Sequence, residues 1–168
     1  MKRLVMLAFV LASLVVAQAL ETPAPDFVMY SPTLERAVQL SKLKGKPVVL
    51  NFWGLWCPPC RDEMADLNSV AVQFKDKFVL LSIPSQEPYR VSLEYLKSEN
   101  LTGFTVLTET PAGEPGLDSS STVNERYQVK GYPTTVFVDK DGLVMANVLG
   151  PLSRRPFISM LKKIDVRP

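Results

Sequence analysis

The chain has 168 residues, of which 19 are lysine or arginine and 17 are aspartate or glutamate, for a net charge of +2; it has two cysteines and no histidine, and 46% of it is hydrophobic. So balanced a charge offers no electrostatic footprint for nucleic acid or another polyanion. The missing histidine excludes Cys-His protease-type activation and histidine-containing copper or zinc sites, and the length suits one domain with a proper core.

Lys2 and Arg3 precede an apolar run from Leu4 to Val16, and Ala17-Gln18-Ala19 stands just before the first acid, Glu21. A basic start, a short apolar run and an A-x-A site describe a secretory signal peptide over residues 1–19. The rival is an uncleaved N-terminal membrane anchor, since residues 4–20 approach the lower limit of the roughly 20 apolar residues that span a bilayer. Either way residues 20–168 are expected outside the cytosol, in the periplasm or another extracytoplasmic space, free or tethered through residues 4–20. Cleavage removes Lys2 and Arg3 and leaves no net charge. A lipid anchor on a leader cysteine is excluded, because no cysteine precedes Cys57.

From Leu20 to Ser31 the chain reads as an extended lead-in to a short strand, because Pro23 and Pro25 disfavour helix. Leu34 to Leu43 reads as a short helix or irregular segment, and Lys44-Gly45-Lys46-Pro47 as a turn. Val48 to Trp53 has the β-rich, apolar composition of a buried central strand. A helix then starts at Cys57, with Met64, Leu67, Val70, Ala71 and Phe74 on one face, and stops near Asp76. Phe78 to Ile83 is a second buried strand ended by Pro84; strand, helix, strand implies a parallel pair. Pro88 to Glu99 is expected to be helical, pairing Val91 with Tyr95 and Leu93 with Leu96, and Phe104 to Thr108 to be a further strand. Residues 109–121 form a Pro-, Gly- and Ser-rich loop, followed by a helical turn over Thr122 to Tyr127. Pro133 directly precedes a β-branched strand running to Asp139, a position that proline tolerates. Lys140-Asp141-Gly142 makes a hairpin with Leu143 to Leu149, and Ser153 is expected to cap a last helix through Lys163 that buries Phe157, Ile158 and Leu161. The order describes an α/β fold with a mixed central sheet.

The chemistry points to Trp56-Cys57-Pro58-Pro59-Cys60-Arg61-Asp62-Glu63. In a helix beginning at Cys57, Cys60 lies on the same face, within disulfide reach. Prolines suit a first turn, and the acids that follow complement its positive end. Backbone N–H groups and the helix dipole at that end stabilise a thiolate whose pKa is otherwise ~8.5, which makes Cys57 the attacking sulfur. A structural staple is the plainer alternative, but a bridge across two residues closes too small a loop to remove much unfolded-chain entropy. A Cu(I) or Zn(II) module is another, although two thiolates are only half of a closed tetrahedral zinc site.

Ala24-Pro25-Asp26-Phe27, Lys44 to Trp53, Trp56 to Met64, and Gly131-Tyr132-Pro133-Thr134-Thr135 followed by Asp139-Lys140-Asp141-Gly142 together resemble the thioredoxin superfamily, and specifically its exported TlpA/ResA-like thiol-disulfide oxidoreductases. The resemblance implies a thioredoxin-like fold with an inserted βα segment, and no cofactor beyond the cysteines. It implies that Cys57 attacks a protein disulfide, that Cys60 resolves the mixed disulfide, and that a membrane electron donor re-reduces the pair. Pro133 matches the family's cis-proline; held cis, it presents the backbone of Tyr132 to a substrate strand, so that Tyr132, Pro133 and Thr134 form the second half of the site. Trp53 and Trp56 shield the site, and Trp56 is a candidate substrate contact. Asn51 is a departure: thioredoxin has a titrating aspartate there. Glu63 matches a glutamate of the exported branch and is the candidate proton acceptor for Cys60, against the reading of a solvent-facing carboxylate that serves only the helix dipole. Pro58 and Pro59 have no N–H to give the Cys57 sulfur, which favours a reducing poise, as in relatives that serve cytochrome c or copper-centre maturation. Oxidase or isomerase activity on the same fold is the alternative. Peroxiredoxins share the Ala-Pro-Asp-Phe lead-in, but Leu50 and Gly54 replace the proline and threonine of their Pro-x-x-x-Thr-x-x-Cys pattern.

Overall fold

The computed structural model describes residues 22–108 and 116–167. The signal peptide or anchor expected over residues 1–19, and most of the loop expected over 109–121, lie outside them. No helix of the described residues is long and apolar enough to cross a membrane.

The elements in order are β1 (Thr22–Pro23), β2 (Val28–Ser31), β3 (Arg36–Gln39), β4 (Val48–Trp53), α1 (Pro58–Gln73), β5 (Val79–Pro84), α2 (Tyr89–Ser98), β6 (Thr105–Val106), α3 (Ser120–Arg126), β7 (Thr134–Val138), β8 (Leu143–Leu149) and α4 (Arg154–Lys163). Six strands form one mixed sheet in the order β1-β8-β7-β4-β5-β6, while β2 and β3 form a separate antiparallel pair. β4 runs parallel to β5 and antiparallel to β7. This is the mixed central sheet flanked by helices that the sequence implies, with α2, β6 and α3 inserted between β5 and β7. β6 extends the sheet parallel to β5.

Strand alternation divides the core in two. On one face Val49 and Trp53 of β4 and Phe137 of β7 join Met64, Leu67 and Val70 of α1 and Phe157 and Leu161 of α4. On the other, Val48, Leu50 and Phe52 join Leu81, Ile83 and Val136, covered by Phe27 and Met29 from the β2 region and Val123 and Tyr127 from the α3 region. Every residue of β4 is buried, Asn51 included. By the same alternation Asn51 shares the face of Val49 and Trp53, under α1. Trp53 is fully buried, and its indole N–H donates to the buried Ser82 hydroxyl at 2.7 Å.

Several expectations are corrected. Arg36–Gln39 is a strand, followed by a 3-10 turn over Leu40–Leu43, rather than a helix or irregular segment. The strand forms because β2 supplies a ladder partner through a turn at Glu35, whose φ is +53°. In α2 Val91 is exposed instead of pairing inward with Tyr95; the buried positions are Ser92 and Leu96. The helix is turned that way because the Ser92 hydroxyl reaches back to the Glu87 carboxylate. α1 has no acid in its first turn; Asp62 is exposed in the second, and Glu63 points inward. Ser153 stands at the N-cap of α4 but makes no side-chain cap; Asp66 of α1 accepts the Arg154 N–H instead, at 3.0 Å. The Arg154 guanidinium returns the contact to Ser69 and Gln73 of α1, locking the two helices together. α3 is longer than the expected turn because Ser119 caps it, accepting from the Thr122 N–H at 3.1 Å.

Phe157 joins α4 to the sheet, fully buried, with its ring 5.7 Å from Phe137 and 6.2 Å from Phe78. Phe157→Ala is expected to lower unfolding stability by about 3–5 kcal/mol in urea titration.

Candidate active site

β4 ends at Trp53, and a short turn through Gly54, Leu55 and Trp56 delivers Cys57 to the N-cap of α1. The Cys57 N–H donates to the Gly54 carbonyl at 3.1 Å. Pro58 and Pro59 fill the first two helical positions, where no intrahelical N–H is needed. Cys57 and Cys60 are joined as a disulfide, their Cα atoms 5.3 Å apart. Because neither proline can donate, the described contact to the Cys57 sulfur is the Cys60 N–H, at 3.3 Å. Cys57 is 4% exposed and Cys60 wholly buried, so an incoming group reaches Cys57 first.

Glu63 lies one helical turn beyond Cys60 on the same buried face, where positions i and i+3 are neighbours roughly 5–6 Å apart at Cβ. It is 3% exposed. Its Oε2 accepts the Leu152 N–H at 2.8 Å, and its Oε1 accepts from Asn51 Nδ2 at 2.9 Å. Burial pushes the carboxyl up from 4.5 to about 7, and the two hydrogen bonds oppose it only in part. The solvent-facing reading of Glu63 is therefore incorrect. Asn51 also donates to Thr135 Oγ1 of β7 at 3.3 Å. Its Oδ1 is buried and makes no hydrogen bond with a described residue, so the amide serves this site through its donor end, the end an ionised carboxylate can use.

The antiparallel register sets Phe52 beside Thr134, bringing the start of β7 to the end of β4 that leads into the cysteines. The Tyr132–Pro133 bond is cis. Pro133 is buried, with its carbonyl taken by the Gly150 N–H at 2.9 Å, and the Thr134 hydroxyl is spent on the Gly131 carbonyl at 2.7 Å. Tyr132 is only half buried and packs against the cluster that contains both cysteines. Its own backbone N–H and C=O make no hydrogen bond to another described residue. Of the four residues expected to face substrate, then, Trp56 and Tyr132 are accessible, whereas Pro133 and Thr134 support them from within.

Three further residues shape the site that sequence reasoning missed. Both carboxylate oxygens of Glu87 accept the Leu55 N–H, at 3.0 and 2.9 Å, pinning the turn before Cys57. The Trp56 Nε1–H donates to the Ser85 carbonyl at 3.1 Å. Asn124 Nδ2 donates to both Ser85 Oγ, at 3.0 Å, and Tyr132 Oη, at 2.8 Å. No motif marks these positions: Glu87 stands just outside the helix read from Pro88, and Asn124 inside a segment read only as a helical turn.

The AhpC/TSA family model matches residues 20–147. The thiol-disulfide oxidoreductase ResA of a Bacillus cereus strain is 32% identical over 143 residues, covering 84% of this chain and 76% of that protein. Among solved structures, a thio-disulfide isomerase from Thermus thermophilus matches with a TM-score of 0.73 at 27% identity, covering 88% of this chain and 98% of that one. A putative thiol:disulfide interchange protein DsbE from Chlorobium tepidum matches with a TM-score of 0.70 at 25% identity, covering 86% and 96%. With the family's match running from the lead-in strands through most of β8, and the Cys57–Cys60 disulfide at the N-terminus of α1, the chain belongs to the AhpC/TSA family, as a thioredoxin-like thiol-disulfide oxidoreductase.

Proposed function

We propose that the protein is an exported reductase of protein disulfides, serving partner thiols in an oxidising compartment as in cytochrome c or copper-centre maturation. The observation that carries this reading is the Cys57–Cys60 pair at the N-terminus of α1, set beside an accessible Trp56 and a half-buried Tyr132 whose backbone N–H and C=O make no hydrogen bond to another described residue, which suits pairing with a substrate strand. In the reduced enzyme the Cys57 thiolate attacks one sulfur of the substrate disulfide; that S–S bond breaks, a Cys57–substrate bond forms, and the other substrate sulfur leaves as a thiolate. Cys60 then attacks the Cys57 sulfur and releases the second substrate thiolate, which is protonated in turn. The two electrons lost by Cys57 and Cys60 are those gained by the substrate sulfurs.

Cys60 must lose its proton before it attacks. Glu63, with its carboxyl held near 7 on the same helix face, accepts that proton as a carboxylate. Asn51 and Leu152 hold it in place. A membrane electron donor returns two electrons to the disulfide, and the leader over residues 1–19 carries the chain to the compartment where that donor acts. Pro58 and Pro59 support a reducing direction, because they withhold two N–H groups from the Cys57 thiolate and so leave it less stabilised.

Reduced protein is expected to accelerate insulin reduction by dithiothreitol. Cys57→Ser should abolish that activity, and Cys60→Ser should accumulate a mixed disulfide visible on non-reducing gels; full activity in Cys57→Ser would discard the reading. A redox titration should place the couple well below the about −120 mV of the strongest dithiol oxidants, and a value near that figure would favour the oxidase reading instead.

Glu63→Gln should slow resolution of the mixed disulfide by about a hundredfold and remove the decline in that step as pH falls below about 7. The same variant tests the energetics. A carboxyl with a folded pKa near 7 and an ordinary value of 4.5 binds more protons folded than unfolded, so its contribution to stability is greatest below 4.5 and is lost as pH rises through 7. Chemical denaturation of the oxidised wild type, in which no thiol titrates, should show a fall on the order of 3 kcal/mol across that window, absent from Glu63→Gln.

A further inference from the structure

We propose that Asn124 is a positioning residue that holds Trp56 and Tyr132 in one arrangement, and that it thereby favours an extended polypeptide disulfide over a small one. The inference deepens the reductase reading and rests on it.

Trp56 is 51% exposed, yet its indole is fixed on its covered sides. Its Nε1–H is held by the Ser85 carbonyl. Its ring meets Tyr132 edge-on, with centroids 5.4 Å apart and planes at 84°. It also lies against Gly54, where an added Cβ would stand 2.7 Å from Cε2. The three anchors belong to different segments: Gly54 follows β4, Ser85 follows β5, and Tyr132 precedes β7. Asn124 joins the last two by donating both of its amide hydrogens, one to Ser85 and one to Tyr132. A closed ring results, running Asn124, Tyr132, Trp56, Ser85 and back to Asn124.

The support beneath Asn124 is rigid. Val123 is fully buried in the second core cluster, and Ser119 caps the helix. Arg126 makes a two-pronged pair with Asp118, at 2.9 and 2.8 Å, and Tyr127 Oη donates to the Pro25 carbonyl at 2.7 Å. The Asn124 side-chain oxygen Oδ1, by contrast, is buried without a hydrogen-bond partner among the described residues. An unpaired buried acceptor is unfavourable, so what this amide contributes to the fold comes from the two bonds its nitrogen donates. An aromatic surface fixed before binding lowers the ordering cost of docking a polypeptide. A small disulfide that needs only the Cys57 sulfur gains little from it.

The test compares insulin with the small disulfide 5,5′-dithiobis(2-nitrobenzoate). Asn124→Leu should raise KM for insulin about fivefold while kcat stays within about twofold, lowering the insulin-to-small-disulfide ratio of kcat/KM by the same factor. Acrylamide quenching should increase, since it reports on Trp56 and not on the fully buried Trp53. Asn124→Asp, whose carboxylate can accept from both hydroxyls, should restore KM to within about twofold. If Asn124→Leu does not fold, Ser85→Ala and Tyr132→Phe, each removing one of the two bonds, must raise KM for insulin in its place. Wild-type KM and quenching in these variants, or equal losses on both substrates, would overturn the proposal. Wild-type protein inert towards insulin would overturn the reductase reading itself, a result seen before any variant is made.

Discussion

Because β4 is hydrogen-bonded along both edges and covered on both faces, every side chain it carries must be apolar or paired. Five of its six residues meet that condition by packing or, for Trp53, by packing together with a bond to Ser82. The remaining one, Asn51, meets it through its amide nitrogen alone, donating upward to Glu63 and sideways to Thr135, while its Oδ1 has no partner among the described residues. One buried amide thus joins the central strand, the strand that starts at the cis-proline and the helix that carries the cysteines.

That junction explains how a carboxyl can sit beneath a redox helix at all. Buried without donors, Glu63 would be driven to its neutral form; with Asn51 and Leu152 donating, it titrates near neutrality. A group poised there changes charge where a thiol must lose its proton, which suits a role beside Cys60. Above it the electrostatics are spare. The prolines remove donors from the Cys57 sulfur, the first turn holds no acid, and a single described N–H from Cys60 contacts the sulfur.

The segment inserted between β5 and β7 gives the site its outer wall. β6 lengthens the sheet, α2 is turned by the Ser92–Glu87 contact so that Glu87 can hold the Leu55 N–H, and α3 sends Asn124 to the loops on which Trp56 rests. The cysteine pair and the buried Glu63 carboxyl therefore share α1, while Asn51, Trp56 and Tyr132 reach the same end of the molecule from the sheet and its loops, with Cys57 where they meet.

Much of this was legible in the chain. The apolar runs of β4 and β5, the helical period of α1 and α4 and the Asp-Gly hairpin between β7 and β8 are local patterns, each readable within a dozen residues. The cysteine spacing and the Tyr132-Pro133-Thr134 motif are local too, so both halves of the site could be named before the fold was known. β3 was missed because a four-residue strand without marked alternation is decided by the partner strand it finds. Ser153 stands at the N-cap as expected but makes no side-chain cap: the N3 position is Pro156, which has no N–H to give it, and the helix end is held instead by Asp66, far away in sequence, through the Arg154 N–H. The sequence alone determined the cysteine spacing that lets Cys57 and Cys60 join, and where the chain folds back. Tertiary structure decided that Asn51 meets Glu63, that Glu63 is buried rather than solvated, and that Asn124 reaches Tyr132 and Ser85, because each of these contacts depends on the phase of a helix against the register of a sheet, which no stretch of sequence holds by itself.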